Sequence, residues 1–224
     1  MKLSLDVSQL LEYIQKQICF FFPDGIDVSS RLSISDVEKA LNKCENCFLH
    51  IKNSSYTDGK GNTFFSHLHA DQYATFLVYL SNYLWYERQD KIICDKIMYL
   101  NRVLHSFMMS YKAKVPDIMW LAHPVGSVIG NADYSNYLYI SQNCTINTAG
   151  TSDDLRPRIG EFFSMGAGAA VIGDKDIGNN CSIGVNALLY NTTLLDNSIV
   201  INDRGNIKII QKETESFAKK MFYV

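Results

Sequence analysis

The stretch MGAGAAVIGDKDIGNNCSIGVNALL, residues 165–189, places an apolar residue at every sixth position. The same period extends beyond both ends of the stretch. The apolar positions are Ile159, Met165, Val171, Ile177, Ile183, Leu189, Leu195, Ile201 and Ile207. In a chain with 47% hydrophobic residues, nine such hits in a row arise by chance roughly once in a thousand. We therefore treat the period as a structural repeat.

The repeat continues upstream through Val128, Tyr134, Ile140 and Ile146. A longer interval follows Ile146, and we expect its extra residues, around AGTSDDLRPR (149–158), to form a loop that leaves the repeat. A six-residue period suits neither a helix nor a long hairpin. It is typical of short strands joined by tight turns, with three hexads per coil and each coil stacked on the next. The second half of the chain is therefore predicted to be a parallel β-helix.

The first half has helical periodicity instead. Residues 6–22 place Leu10, Ile14 and Ile18 on one helical face. Ser35 followed by Glu38 resembles a capping box that opens a second helix. Two further helical stretches cover residues 66–87 and 90–111. The predicted fold class is α+β, with an α-helical domain over 1–114, a β-helix over 115–210 and a tail over 211–224.

Composition excludes several classes of function. A net charge of -2 leaves no basic surplus for nucleic acid, and no apolar run is long enough for a transmembrane segment. The N-terminus lacks the pattern of a signal peptide, so we expect a cytoplasmic protein with reduced cysteines. Cys44 and Cys47 form a lone C-x-x-C without a second pair. We therefore predict no metal site.

The glycine-rich repeat resembles the hexapeptide-repeat acyltransferases, specifically the serine O-acetyltransferase type. Residues 165–189 are similar to that family's consecutive hexads. HPVGSVIG (123–130) and YISQNCTINTAG (139–150) resemble its active-site coil and the strand before its substrate loop. HADQYATFLVYLSNYLW (69–85) is similar to one of its helices. The resemblance implies that the β-helix is left-handed.

The resemblance also assigns a general base. It falls on His123, with Gly126 and Gly130 in register. An imidazole has an ordinary pKa near 6.5, so it can accept a proton from a hydroxyl at neutral pH. Its other nitrogen needs a partner, and Asp117, one hexad upstream, is the nearest candidate carboxylate. The other four histidines are interpreted as structural.

Two parts of the sequence depart from the family pattern. Ala122 stands where the family has an aspartate that helps to hold the amino-acid acceptor. In the substrate loop, Leu155, Arg156 and Pro157 stand where the family has arginine, histidine and proline. Arg156 and Arg158 are candidates for binding an acidic acceptor or a phosphate of the donor, although solvated loop charges are an equal alternative. These departures argue against serine as the acceptor.

The positions expected to bind the acetyl donor match the family pattern better than the acceptor positions do. The resemblance places the acetyl-CoA groove at the small residues Gly150, Ala169 and Ala187. Ala169 and Ala187 are one full coil apart, so they are predicted to lie directly above each other. Each of them can equally be the small corner residue that such a prism needs.

The predicted function is acetyl-CoA-dependent O-acetylation by direct transfer, with the acceptor a sugar of a surface polysaccharide. Two alternatives stay open: a serine O-acetyltransferase of cysteine biosynthesis, and a non-catalytic β-helix scaffold. A covalent route through Cys144 or Cys181 is the competing mechanism. The resemblance also implies a homo-oligomer, either a trimer or a dimer of trimers.

Overall fold

The structure of the chain is a computed structural model that describes residues 1–147, 156–212 and 214–224. Helices dominate up to His105, and short strands dominate after it. The helices in these ranges are α1 (Val7–Phe21), α2 (Ile34–Leu49), α3 (Ala70–Arg88), α4 (Lys91–His105) and α5 (Phe217–Met221). The strands are β1 (Lys2–Leu3), β2 (Phe64–Phe65), β3 (Met108–Met109), β4 (Met119–Leu121), β5 (Val128–Ile129), β6 (Asp133–Tyr134), β7 (Leu138–Ile140), β8 (Thr145–Asn147), β9 (Arg158–Ile159), β10 (Ser164–Met165), β11 (Ala170–Ile172), β12 (Ser182–Ile183), β13 (Leu188–Tyr190), β14 (Ser198–Asp203) and β15 (Asn206–Gln211).

The helical part forms around the predicted apolar faces. Leu10, Ile14 and Ile18 of α1 are fully buried. The capping box of α2 lies earlier than the sequence predicted: Ser33 caps the helix and Asp36 closes the box, so the Ser35–Glu38 prediction is wrong. The carboxylate of Asp36 accepts from the backbone N–H of Ser33 at 2.9 Å, which is the contact that the third helical residue makes in a capping box.

The last two long helices are shorter than their periodicity suggested. His69 caps α3 with its side chain, so that helix begins at Ala70. Helix α4 ends at His105 because Ser106 adopts a left-handed conformation, with φ of 51°. The apolar residues that follow then form β3, which pairs in parallel with β5 of the prism.

The strands of the second part stack in parallel into a three-sided prism. One sheet has the order β15-β14-β12-β10-β7-β4, and a second has the order β13-β11-β8-β5-β3. The third side comprises β6 and β9 with bridges from Ile177 to Ile159 and Leu194. Met165 pairs with Ile183, which confirms a coil of eighteen residues. This is the β-helix that the hexads predicted.

The core follows the predicted register over most of the prism and departs from it at both ends. The six apolar positions from Ile159 to Leu189 are buried. At the start, Ile129 is buried and Val128 is exposed. At the end, Leu194 and Val200 are buried, whereas Leu195 is 65% exposed. The last coil is one residue short, since Ile183 pairs with Val200.

The final predicted hexad is wrong for a different reason. Strands β14 and β15 form an antiparallel hairpin, and Ile207 lies exposed in β15. A hairpin ends the stack because its second strand runs opposite to the coils. Beyond it, α5 returns along the sheet of β7, β10 and β12 toward the helical part.

Candidate functional site

His123 lies just after β4, where the prism meets the N-terminus of α3. Its Nδ1 atom is 2.9 Å from Oδ2 of Asp71. The backbone N–H of His123 also donates to that oxygen, at 3.1 Å. The two bonds fix both the ring and the backbone of His123, which has a φ of 51°. A left-handed conformation in a non-glycine residue is uncommon and persists where its surroundings enforce it.

Asp71 is positioned by the first turn of α3. Its side chain is 8% exposed, and a carboxylate is favoured there by the helix dipole. Next to it, Gln72 accepts from the backbone N–H of Ser66 and donates to the carbonyl of Ser55. The loop that leads into α3 is thereby tied to the helix, and the carboxylate is held in place.

The contact between His123 and Asp71 fixes the tautomer of the imidazole. An ionised carboxylate can only accept, so the proton lies on Nδ1 of the neutral ring. The basic lone pair is then on Nε2. Because the His123 side chain is 86% exposed, Nε2 is open to a substrate. This is the arrangement that a general base requires.

Asp117 does not occupy the predicted place. Its carboxylate lies 3.6 Å from Nζ of Lys43 and is mostly exposed, and its carbonyl accepts from the hydroxyl of Tyr79. The carboxylate on His123 is therefore Asp71, and the choice of Asp117 is corrected. Sequence reasoning missed Asp71 because it comes from the helical half. The available signal was its place inside the HADQ stretch that resembles the family helix.

The turn after His123 contacts the C-terminus of α4. The N–H of Gly126 donates to the carbonyl of Ser106 at 2.9 Å. A Cβ on Gly126 would collide with the side chain of Asn143, and its φ is 75°, so this turn requires glycine. His105 lies at the end of α4. Burial lowers the pKa of its imidazole to about 4, although the negative charge of Asp71 acts to raise it. His105 is therefore neutral at physiological pH.

Of the positions that the sequence analysis linked to the acceptor, Ala122 directly follows β4, Arg156 precedes β9 and Arg158 begins β9. Ala122 is buried, and its N–H donates to Ile140. Arg156 donates to the carbonyl of Lys112 at 3.0 Å and lies 4.0 Å from the carboxylate of Asp133. The side chain of Arg158 is exposed in β9.

The predicted donor residues are only partly described. Gly150 and Leu155 lie outside the described residues. Ala169 and Ala187 stack one coil apart, as predicted, because Ala170 pairs with Leu188. Both alanine side chains are buried inside the prism, and both N–H groups are bonded within their own turns. Both carbonyls accept from a neighbouring coil, that of Ala169 from the N–H of Thr145 and that of Ala187 from the N–H of Ala170.

The two corner cysteines are poor nucleophiles. Cys144 and Cys181 are buried inside the prism, and burial raises the pKa of each thiol. A thiol with a raised pKa holds little thiolate at neutral pH. Within residues 1–147, 156–212 and 214–224, no cluster of three metal-binding side chains occurs. No helix in those ranges is long and apolar enough to cross a membrane.

These features define a left-handed β-helix protein of hexapeptide repeats with a helical N-terminal part. Among solved structures, serine acetyltransferase from Brucella abortus matches with a TM-score of 0.67 and 16% identity, covering 92% of this chain and 84% of that one. Serine acetyltransferase from Neisseria gonorrhoeae matches with a TM-score of 0.66 and 15% identity, and the match covers 96% of this chain and 82% of that one. At these identities, the likeness supports the fold.

The sequence matches are to serine acetyltransferases. The enzyme of Salmonella typhimurium is 29% identical over 134 residues, which are 53% of this chain and 48% of that protein. The enzyme of Haemophilus influenzae is 27% identical over 117 residues, covering 50% and 42%. The chain thus spans about half the length of the curated relatives it matches. No protein-family model matches the chain.

Proposed function

We propose that this protein is an acetyl-CoA-dependent O-acetyltransferase with His123 as its general base. The observation that carries the proposal is the 2.9 Å contact between Asp71 and Nδ1 of His123, which leaves Nε2 exposed. The sequence relatives, which are serine acetyltransferases, support the same chemistry. A folded scaffold without activity would have no need to hold a histidine in this tautomer.

In the proposed reaction, Nε2 of His123 takes the proton of the acceptor hydroxyl as its oxygen attacks the thioester carbonyl. Asp71 stabilises the imidazolium that forms. Collapse of the tetrahedral intermediate breaks the carbon–sulfur bond, and the departing thiolate of coenzyme A receives the proton from His123. The products are the acetyl ester and the free thiol. The buried thiols of Cys144 and Cys181 take no part, so the transfer is direct.

Serine is the acceptor that the relatives favour over the sugar that the sequence analysis put first. The two sequence relatives and the two solved structures named above are all serine acetyltransferases. A sugar hydroxyl remains the second candidate on one observation. Ala122 supplies no carboxylate beside the base, so an amino group on the acceptor would need a different anionic partner.

For the donor, we propose the corner of the prism that carries Ala169 and Ala187, together with Gly150. The side chains of Ala169 and Ala187 are buried inside the prism, so neither would obstruct a pantetheine arm along the outside of this corner. Arg156 and Arg158 are proposed to contact an acidic group of the acceptor or a donor phosphate. Arg158 is the more available of the two, because Arg156 already donates to Lys112.

We also propose that the protein acts as a homotrimer. Apolar side chains lie exposed along the β5–β13 sheet and its corner beside His123. They are Val125, Val128, Val185, Leu188 and Tyr190. Burial of such a row between prisms would favour association, and a neighbouring prism would cover the exposed imidazole.

The proposal is tested by thiol release from acetyl-CoA with serine and with a panel of sugars. We expect turnover with at least one acceptor and a loss of about 1,000-fold in kcat for His123→Ala. His67→Ala, at a half-buried histidine bonded to Ser4, is the matched control and should retain activity. No turnover with any acceptor, and coenzyme A binding unchanged in His123→Ala, would instead support the scaffold alternative.

A further inference from the structure

The His123–Asp71 pair joins two parts of the chain that fold from different elements. Asp71 belongs to α3 and His123 to the turn after β4. A hydrogen bond between them persists only while the helical part keeps its position on the prism. Whatever fixes that position therefore also fixes the tautomer of the imidazole.

One end of the C-terminal segment, residues 214–224, is bound to the prism. Asn180 donates to the carbonyl of Thr214 and accepts from the N–H of Ser216. The N–H of Phe217 donates to Oγ of Ser182 at 3.4 Å. The Phe217 ring packs edge-on against Tyr139, with 5.0 Å between ring centroids. These contacts hold the segment on the sheet that ends at β4.

The other end of the segment is bound to the helical part. The N–H of Tyr223 donates to the carbonyl of His50 at 2.7 Å, and Nδ1 of His50 lies 2.9 Å from the carbonyl of Tyr223. The N–H of Lys52 donates to the carbonyl of Met221. Phe222 is fully buried. The segment thus spans both parts of the molecule and is pinned at each of them.

A continuous series of aromatic contacts leads from this segment to the start of α3. Beyond Phe217 and Tyr139, the Tyr139 ring contacts Trp120 at 5.5 Å. Trp120 contacts Tyr56 at 6.0 Å, and Tyr56 contacts His69 at 5.4 Å. His69 is the N-cap of α3, two residues before Asp71. Every pair is edge-on or near it, the geometry that aromatic pairs favour.

We propose that residues 214–224 act as an interdomain strap that positions Asp71 on His123 through this aromatic series. Phe217 and Tyr139 are then positioning residues, since neither touches the imidazole. Only the expected effect of the strap on the acetylation rate rests on the proposed function. Its effect on the hydrogen bond of His123 stands independently of any activity.

The first measurement is therefore spectroscopic. The Nδ1–H proton of His123, donating to a carboxylate, gives a downfield NMR resonance that Asp71→Asn should remove. We expect Phe217→Ala and Tyr139→Ala to weaken or remove the same resonance. Phe217→Tyr, which keeps the ring, should restore it. Phe20→Ala is the control, because Phe20 is 77% exposed on α1 and lies outside the series.

The second measurement is kinetic. Misplacing a catalytic group by about 1 Å can cost up to about 100-fold in rate, so we expect kcat to fall about tenfold or more in Phe217→Ala. The KM for acetyl-CoA should stay within about twofold, since the donor corner is untouched. A general loss of folded protein would lower the active fraction without removing the resonance from the folded molecules.

The outcomes separate this proposal from the proposed function. If folded Phe217→Ala and Tyr139→Ala both keep the resonance, the strap does not position Asp71 and the inference is overturned. Phe217→Leu retains an apolar side chain without the ring and decides the question if the alanine variants do not fold. If the resonance is lost as expected but wild-type protein acetylates no acceptor, the strap stands and the proposed function falls.

Discussion

At the scale of single residues, the proposed base and the carboxylate that contacts it come from different halves of the chain. His123 was identifiable from its place before the hexads, whereas Asp71 was identifiable only once α3 was seen against β4. Oδ2 of Asp71 contacts both Nδ1 of the His123 imidazole and the backbone N–H of His123. Such double contact limits the ring to one orientation, which suits proton transfer at Nε2.

Replacement of Asp71 by asparagine should lower kcat by about 100-fold or more. The amide can donate to Nδ1, which would move the proton to Nε2 and remove the base. Asp117→Asn is the matched control and should change kcat by less than about twofold, because Asp117 pairs with Lys43. Steady-state kinetics with acetyl-CoA measure both. Equal losses in the two variants would contradict the assignment of Asp71.

Cys144→Ala should keep nearly all activity. The thiol is buried at a prism corner, burial raises its pKa, and its Sγ lies 3.2 Å from the carbonyl of Gly166. Alanine fits the same small volume. The same thiol-release assay checks this. A loss like that of His123→Ala would mean that an acetyl-cysteine intermediate forms and that the transfer is not direct.

His105 should make the protein less stable at acidic pH. Its pKa is lowered by burial to about 4 from 6.5, so between these values the unfolded chain binds a proton that the folded chain does not. Stability is therefore full above about pH 6.5 and is lost as pH falls toward 4. Between pH 7 and pH 5 we expect a loss of about 1–2 kcal/mol after solvent screening.

Urea denaturation at the two pH values measures this loss in the free energy of unfolding. His105→Asn should remove that part of the pH dependence, since it removes the titrating ring. An unchanged difference between pH 7 and pH 5 in His105→Asn would assign the effect to other groups.

At the scale of elements, the coil spacing depends on glycine where successive turns meet. A Cβ on Gly160 would lie 2.6 Å from the backbone carbon and oxygen of Gly178. Backbone atoms cannot swing aside as a flexible side chain can. The coils there are therefore closer than any other residue permits, which is why glycine recurs between the apolar positions.

Gly160→Ala should lower the free energy of unfolding by about 2–3 kcal/mol, through overpacking between coils. Gly61→Ala is the control, because nothing lies within 4 Å of its added Cβ. Gly61→Ala should lower the free energy of unfolding by only about 1 kcal/mol, because alanine must adopt the left-handed φ of 100° at this position. Urea denaturation of the two variants measures both losses in the free energy of unfolding. A loss in Gly160→Ala no greater than in Gly61→Ala would show that the coils can separate without penalty.

At the scale of the whole molecule, the faces of the prism are unequally covered. The strap lies on the β4–β14 sheet, where Phe217 packs against Tyr139. The β5–β13 sheet instead exposes its apolar row, including Val185, which is 61% exposed. This apolar row is the surface that we propose to lie between subunits.

Val185→Glu should therefore convert the proposed trimer to monomers. A carboxylate at that corner would be buried without a partner on association, at a cost of several kcal/mol. Leu68→Glu is the control, since Leu68 is exposed on the helical part. Sedimentation velocity of wild type and both variants gives the mass in solution. A trimeric Val185→Glu, or a monomeric wild type, would refute this surface.

Much of this protein was predictable from local pattern. The six-residue period determined the prism, its eighteen-residue coil and the stacking of Ala169 over Ala187, because each coil repeats the same short-range contacts. The apolar face of α1 followed from helical periodicity. The period misplaced Leu195, Ile201 and Ile207, since one missing residue and a hairpin end the repeat without disturbing the apolar spacing in the sequence.

What only the tertiary structure decided are the contacts between distant segments. The hydrogen bond from the backbone N–H of His123 to Asp71 joins residues 52 positions apart, and that from His50 to Tyr223 spans 173 positions. Neither contact leaves a periodic trace in the sequence, because each depends on how two finished units dock. The six-residue period predicted the prism, and the family resemblance pointed to His123 as its proposed base. The docking of the helical part on that prism selected the carboxylate that orients it.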